Sequence, residues 1–341
     1  MQYELEFAEG LLDIVQAELE KTIDKRGRIG KSHRADALSF TYDGNPSDLL
    51  NLRTVISVYQ LLNFDVPRPK AFLGHQHFHK LLATITEIMS IRGRENYNSL
   101  YINAAGSESS VMMRLKDALS QELGLRIAED EGDLLLRIRR TPKAKQGWDV
   151  LIRLTPRPLA TRDWRVCNFP GALNASVAYA LILMTKPTPQ DIFLNIACGS
   201  GTMLIERADY LPAKRLIGCD IDAETLACAR ENVMISGAGN IEFIQGDGSQ
   251  LALPGASVAA LCADLPFGQL VGSHDNNTWL YPAIIEEAAR VAKKGAIFAI
   301  ITHELRLMER ILQEDTNWLI KKKLKVTLSG LHPQIFVLER L

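Results

Sequence analysis

Asp191-Ile192-Phe193-Leu194-Asn195-Ile196-Ala197-Cys198-Gly199-Ser200-Gly201-Thr202-Met203-Leu204-Ile205-Glu206-Arg207-Ala208 is the stretch that decides the fold. Asp191 to Ile196 reads as a short buried strand, Ala197 to Gly201 as a Gly-rich turn, and Thr202 onward as a helix. Glycines in such a turn let the backbone approach a ligand closely. A second strand, Arg215 to Cys219, ends at Asp220 and Ile221, about 20 residues beyond the glycines, where a carboxylate can take both hydroxyls of a ribose. A third, Ile241 to Gly246, ends at Asp247-Gly248, where a base would lie with its ribose on Asp220.

The fourth apolar run, Ser257 to Ala263, leads into Asp264-Leu265-Pro266-Phe267-Gly268. An acid, a prolyl segment and an aromatic at a strand end suit chemistry on a planar amino nitrogen, whose lone pair is delocalised into its ring. Asp264 and the Leu265 carbonyl can accept from its N–H groups, and Phe267 can stack on the ring. Taken alone the string is also an ordinary turn. In open α/β sheets, however, ligands bind outside the carboxyl ends of the strands, so four such ends converge on one crevice. The rival is a nicotinamide-dinucleotide site, since Gly199-x-Gly201 is two-thirds of G-x-G-x-x-G, but Leu204 occupies the third glycine position and nothing in that reading explains Asp264 to Phe267.

From Asp191 onward the order is strand, turn, helix, strand, helix, strand, strand, helix, strand, helix and a terminal hairpin of Trp318–Leu328 with Gln334–Glu339. This gives an α/β, Rossmann-like, mostly parallel sheet with one antiparallel edge strand. Helices over Asp222–Ile235 and Tyr281–Val291 cover it, and Met203, Met234 and Met308 are expected as core filler. Lys321, Lys322, Lys323 and Lys325 read as protection of an edge strand rather than as a nucleic-acid contact.

Asn195-Ile196-Ala197-Cys198-Gly199-Ser200-Gly201-Thr202, Asp264 to Gly268, and Gly272-Ser273-His274-x-x-Asn277-x-x-Leu280-Tyr281-Pro282 together resemble the THUMP-containing RNA guanine-N2 methyltransferases, in particular their tRNA-modifying branch. Phe169 to Ala178 is similar to the element that, in the family, helps close the S-adenosylmethionine pocket. The resemblance covers about half the chain. It implies a Rossmann-like S-adenosylmethionine-dependent methyltransferase sheet, with the cofactor on Ala172, Asn195, Ala197, Gly199, Ser200, Gly201, Asp220, Ile221, Asp247, Gly248 and Asp264, and the reaction at Asp264, Pro266 and Phe267. It further implies a tRNA substrate, with direct in-line transfer to the N2 amino group of a guanosine turned out of its stack. Some eukaryotic relatives need a small activating subunit. One departure is visible: the family usually carries Asp-Pro where this chain has Asn195-Ile196, which replaces a carboxylate near the methionine part of the cofactor by a neutral amide and weakens the bond to an ammonium. Two other classes stay open: transfer to another amino group, such as adenine N6 or a protein amide, and a non-catalytic RNA-binding relative. His274 and Asn277 shape the pocket entrance or cap a helix starting near Trp279.

The front half mixes alternating strands (Tyr3–Phe7, Ala37–Tyr42) with helical periodicity (Gly10–Lys21) and a turn and cap, Asn45 to Asp48, before a helix over Leu49–Val55. A break at Val66-Pro67-Arg68-Pro69 precedes helices around Phe78–Arg92 and Glu108–Leu123 and strands over Ser99–Ala104, Asp133–Arg139 and Trp148–Leu154. The expected organisation is an α+β, ferredoxin-like module over 1–68, a THUMP-like RNA-binding domain over 69–160, named so by the resemblance, and the methyltransferase domain over 161–341. In the family the THUMP module grips the acceptor end of tRNA. Arg139, Arg140, Arg153, Arg157 and Arg162, with Arg137, Lys143, Lys145 and Arg165 near them, are candidate phosphate contacts, or otherwise a solvated face.

Composition bounds the rest. A chain of 341 residues, 47% hydrophobic with formal net charge −1, has room for two or three domains and no overall basic field. Any RNA contact must come from local patches. No apolar run approaches a bilayer span, and Met1-Gln2-Tyr3-Glu4-Leu5 opens without a basic start or apolar segment, so a cytoplasmic protein without membrane association or secretion signal is expected. With no long apolar surface helix, a monomer is expected. Cys167, Cys198, Cys219, Cys228 and Cys262 form no C-x-x-C pair and read as reduced packing residues, and His75, His77 and His79 as a polar loop rather than a metal site.

Overall fold

The computed structural model describes residues 1–32, 34–142, 144, 146–266, 274–327 and 330–341, and of His274 the backbone alone. Two compact units emerge: Met1–Phe7 with Leu12–Thr161, and Ala8–Leu11 with Arg162–Leu341.

In the first unit the strands are β1 (Gln2–Glu6), β2 (Gly27–Ile29), β3 (Ala37–Tyr42), β4 (Ser57–Phe64), β5 (Ser99–Ala104), β6 (Arg126–Ile127), β7 (Leu134–Arg140) and β8 (Trp148–Arg153), with helices α1 (Leu12–Ile23), α2 (His75–Arg92) and α3 (Ser110–Leu123). They form one mixed sheet in the order β2-β3-β1-β4-β8-β7-β5-β6. Antiparallel pairing of β4 with β8 carries this sheet across the Val66–Pro69 break, so the two front modules share a sheet. The helix expected over Leu49–Val55 is instead a 3-10 turn, Pro46–Asn51, capped by the Asn45 side chain. It stops there because Glu18 of α1 captures the next amides: the Arg53 and Thr54 N–H groups donate to its carboxylate at 2.9 Å each, in place of helical carbonyls. His75, His77 and His79 lie in the first turns of α2 rather than in a loop, His77 edge-on to the Phe64 ring.

The second unit contains α4 (Ala175–Met184), β9 (Ile192–Ile196), α5 (Thr202–Tyr210), β10 (Arg215–Asp220), α6 (Ala223–Ser236), β11 (Ile241–Gln245), β12 (Val258–Asp264), α7 (His274–Val291), β13 (Ala292–Thr302), α8 (Leu305–Glu314), β14 (Trp318–Lys325) and β15 (Gln334–Arg340). Its sheet runs β11-β10-β9-β12-β13-β15-β14, parallel from β11 to β13. Only β15 runs against its neighbours, and it lies inside the sheet; the edge is β14. The antiparallel strand is therefore not the edge strand. The hairpin inserts its second strand because β15, Gln334 to Leu338, is buried on every residue to Leu338, whereas β14 carries exposed Lys321, Lys322 and Lys323. Lys321 and Lys323 pair with Glu339 and Glu309.

Leu194, Ile196, Ile217, Leu261, Phe298, Ile300 and Phe336 build the core on which α7 and α8 pack. Helix α7 starts at His274 rather than near Trp279, so Asn277 lies within it and caps nothing at its start. Met203 and Met308 are buried, but Met234 is 71% exposed and fills no core.

Candidate functional site

The second unit holds a cavity of about 670 Å³ outside the carboxyl ends of β11, β10, β9 and β12. That is within the roughly 300–1,000 Å³ typical of small-molecule and cofactor sites. Four neighbouring strand ends span three inter-strand gaps, about 14 Å in all, which is the reach of an extended nucleoside with a side chain.

At its centre is the turn after β9. Ala197, Gly199 and Gly201 all have positive φ, 51°, 53° and 78°. A Cβ on Gly199 would meet nothing within 4 Å, so its glycine answers to the backbone conformation and leaves an open wall. The Gly199 N–H donates to Asp220 Oδ2 at 2.8 Å, which ties the turn to the end of β10. Ala197, Gly199 and Ser200 face the cavity; Gly201 does not, and begins α5 where a Cβ would come within 3.3 Å of Ala229. Strand β10 supplies the close helix–strand approach that a dinucleotide fingerprint places in the helix. A Cβ on Gly218 would lie 2.5 Å from Leu204 Cδ1, so Leu204 is accommodated by a glycine on the strand.

Asp220 and Ile221 follow along the wall, Ile221 being 70% exposed. Asp220 Oδ1 accepts from the Asp222 N–H at 3.2 Å, and a carboxylate with about four acceptor sites keeps capacity for hydroxyls. Beyond it lie Asp247 and Gly248, where Asp247 Oδ1 holds Ser249 N and Oγ at 2.8 and 2.7 Å. Asn195 is buried in β9 and lines the cavity floor. Its Nδ2 donates to the Ile196 and Cys262 carbonyls at 3.2 Å each, and its Oδ1 has no partner among the described residues. Those bonds fix which way the amide points, and the free acceptor suits an ammonium group on a ligand.

A strap from Arg162 to Leu173 closes the side carrying Ala172. Asn232 of α6, fully buried, ties it to the turn after β9 with all its hydrogen-bonding capacity. Oδ1 accepts from the Val166 and Cys167 N–H groups at 3.0 Å; Nδ2 donates to the Cys167 carbonyl at 2.9 Å and the Ser200 carbonyl at 3.0 Å. Arg165 reaches the Leu173 carbonyl and Thr202 Oγ1 at 2.9 and 2.7 Å. Cys167 is joined to Cys228 of α6 by a disulfide, Cα to Cα 5.4 Å, against the expectation of five reduced cysteines. Sequence reasoning missed Asn232 and the bridge because each partner lies some 60 residues from the other, with no motif to link them. The other three cysteines are buried and free. Burial raises the Cys198 thiol's pKa well above its ordinary value, and burial beside Asp220 pushes Cys219 up to about 11. Neither is a thiolate nucleophile at neutral pH.

At the opposite end stands Asp264, the last residue of β12. Its Oδ1 is buried with no partner among the described residues, and desolvation pushes its pKa up from 3.8 to about 7. Leu265 and Pro266 follow on the cavity wall. The Pro266 carbonyl accepts from Tyr281 Oη and Asn277 Nδ2. Phe267, the expected stacking ring, lies outside the described residues, as do Gly268, Gly272 and Ser273. Trp279, singled out by no motif, lines the cavity with 58% of its surface exposed.

Three of the five candidate arginines are engaged within the fold. Arg139 makes a bidentate pair with Glu4 at 2.9 and 2.6 Å. Arg153 is buried and donates to the carbonyls of Thr155, Gly132 and Pro156. Arg162 pairs at 2.8 Å with Glu206, itself fully buried in α5. These three hold the fold. Arg140, set over the Trp148 ring, and Arg157 are exposed. Lys143 and Lys145 lie outside the described residues.

Comparison with known proteins agrees with this geometry. The family model described as UPF0020, RMKL-like methyltransferase domain, matches residues 162–334. The chain is 27% identical over 232 residues to the tRNA (guanine(6)-N2)-methyltransferase of Thermus thermophilus, covering 68% of each. It is 23% identical over 285 residues to that of Methanocaldococcus jannaschii, covering 72% of this chain and 73% of the relative. Against the mouse tRNA (guanine(6)-N(2))-methyltransferase THUMP3 it is 29% identical over 209 residues, covering 56% of this chain and 40% of the mouse protein. Among solved structures, TrmN from Thermus thermophilus matches with a TM-score of 0.77 at 22% identity, over 100% of this chain and 99% of that one. SMU.472, complexed with SAH, matches with a TM-score of 0.68 at 16% identity, over 98% and 97%. These structural likenesses show the α/β methyltransferase fold.

Proposed function

We propose, for a chain that belongs to the UPF0020 family of RMKL-like methyltransferase domains, that it methylates the exocyclic N2 amino group of a guanosine in tRNA, using S-adenosylmethionine. The observation that carries this reading is Asp264: a desolvated carboxylate oxygen without a partner among the described residues, beside the Leu265 carbonyl, at the opposite end of the cavity from Asp220 and Asp247. The names of the relatives from Thermus and Methanocaldococcus support guanine N2 and tRNA.

S-adenosylmethionine brings a sulfonium methyl that is electrophilic without further activation. What the chain contributes is binding, orientation and a proton acceptor. Asp220 takes ribose hydroxyls with its remaining acceptor capacity, the open face at Gly199 admits the ligand, and the Asn195 Oδ1 without a described partner receives an ammonium; this donor and acceptor set fits the cofactor. Asp264 and the Leu265 carbonyl accept from the substrate's two N–H bonds and hold the base edge-on to the methyl, so orientation contributes up to roughly 7–11 kcal/mol of the barrier reduction. As the nitrogen gains positive charge the ionised Asp264 stabilises it and then takes the released proton, a role suited to an affinity for protons near neutrality. Phe267 is kept in this reading as the ring stacked on the base. The first unit acts as the THUMP-like tRNA grip, with phosphate contacts assigned to Arg140 and Arg157. We take a monomer acting in the cytoplasm as the working form, and activity of the purified chain alone tests whether an activating subunit is needed.

The deciding experiment compares nucleosides of tRNA from cells with and without this protein by mass spectrometry. Loss of N2-methylguanosine, restored by the wild-type gene and not by Asp264→Ala, is expected. Loss of N6-methyladenosine instead would move the reading to adenine, and an unchanged profile would leave a non-catalytic RNA binder.

A further inference from the structure

We propose that Tyr281, Thr302 and Asn277 are positioning residues, a buried brace that fixes the Leu265 carbonyl beside Asp264 at the geometry needed for transfer. The inference rests on the methyltransferase reading above.

Four contacts define the brace. The Pro266 carbonyl oxygen is 2.8 Å from Tyr281 Oη and 2.9 Å from Asn277 Nδ2; Tyr281 Oη is 2.7 Å from Thr302 Oγ1; the Glu304 backbone N–H donates to Thr302 Oγ1 at 3.0 Å. The direction of every bond follows by elimination. A carbonyl only accepts, so the single Tyr281 proton goes to Pro266. The oxygen of Tyr281 must then accept, which makes Thr302 its donor, and the oxygen of Thr302 in turn accepts from Glu304. The result is a one-way chain from the start of the loop after β13 to the loop after β12, in which each bond polarises the next. Burial, foremost, with the charges of Glu304 and Asp264 nearby, raises the pKa of Tyr281, so its phenol stays a donor throughout the working range. Tyr281, Thr302 and Asn277 are all fully buried, and no part of the chain depends on solvent.

Two consequences follow for the reacting end. With Tyr281 and Asn277 on its two lone pairs, the Pro266 carbonyl has no capacity left for substrate, so its oxygen is a structural fixture. The acceptor of the loop is the Leu265 carbonyl, which no described residue engages. That carbonyl is pinned on both sides: upstream by the Leu265 N–H, which donates to Ile301 at 3.1 Å, and downstream by the doubly held Pro266. Asn277 and Tyr281 stand one turn apart on α7, so one rigid helix sets both bonds. A misplacement near 1 Å at a reacting group can cost about 100-fold in rate, and removing one hydroxyl loosens this loop without touching the cofactor's end of the cavity.

The test uses Tyr281→Phe, Thr302→Val and Thr302→Ser in the full chain. It measures turnover on tRNA, S-adenosylmethionine affinity by calorimetry and thermal melting. Expected are a 10- to 100-fold fall in kcat for Tyr281→Phe and Thr302→Val with cofactor affinity within twofold of wild type, and near-complete retention of kcat in Thr302→Ser, which keeps the hydroxyl. Wild-type kcat in the first two variants, equal impairment of Thr302→Ser and Thr302→Val, or a parallel loss of cofactor affinity would overturn the brace while leaving the proposed function standing. A wild-type chain inactive on guanosine N2 overturns that function and the brace with it.

Discussion

Replacing Asp264 by Asn removes a carboxylate that the fold holds out of water. In the folded chain the carboxyl keeps its proton to about pH 7 instead of 3.8. Because the folded pKa lies above the unfolded one, the folded state binds the extra proton between pH 4 and 7, so this group's contribution to stability is fully present below pH 4, falls through that window and levels off above 7. At about 1.4 kcal/mol per tenfold the gap corresponds to roughly 4 kcal/mol lost at pH 8, an upper bound set by full desolvation. Asp264→Asn keeps the shape and abolishes the titration. It should therefore be more stable than wild type by roughly 2–4 kcal/mol at pH 8, an increase in Tm on the order of 5–10 °C for a unit of this size, with the difference shrinking to nothing near pH 4. Thermal and urea unfolding of the apo protein at pH 4, 6 and 8 measure this. The same variant should bind S-adenosylmethionine with wild-type affinity and turn over no tRNA, while wild-type kcat/KM rises with pH to a plateau above about 7. Equal stability of the two proteins at pH 8, or a difference independent of pH, would refute the idea that Asp264 is a desolvated carboxylate awaiting a polar partner.

Asn232→Ala releases three hydrogen bonds to the strap and one to the Ser200 carbonyl of the turn after β9; calorimetry should find cofactor affinity reduced at least 10-fold and unfolding easier by about 2–3 kcal/mol. Asp191→Ala leaves the fully buried Arg207 guanidinium without its 3.2 Å ion-pair partner and should cost about 3–5 kcal/mol by urea unfolding. Trp279→Ala should weaken tRNA binding by about 1–3 kcal/mol, the worth of a base stacked on an aromatic ring, with cofactor affinity unchanged in a parallel titration. Reversing Arg140 and Arg157 to Glu should weaken tRNA binding and flatten its salt dependence in filter binding, whereas Arg153→Glu should unfold the first unit, since that guanidinium is enclosed by three carbonyls.

The sheet and the crevice at its rim were legible in the chain because their signals are local. A buried apolar strand such as Ile192–Ile196, a turn needing positive φ at Gly199 and Gly201, and an acid at the next strand end are each specified by a few consecutive residues, and their order dictates a parallel sheet whose carboxyl ends converge. Local signals also misled. The Leu49–Val55 pattern was helical, but Glu18, more than 30 residues away, took the amides a helix needs. Arg153 and Arg162 read as surface charge until tertiary packing enclosed them, and the position of β15 inside the sheet rather than at its edge depended on which hairpin face is apolar on both sides. Tertiary structure alone paired Asn232 with the strap, Cys167 with Cys228, and Tyr281 with Thr302. A hydrogen bond between side chains far apart in sequence leaves no periodicity behind, because its partners are chosen by the distance between packed elements and not by their spacing along the chain.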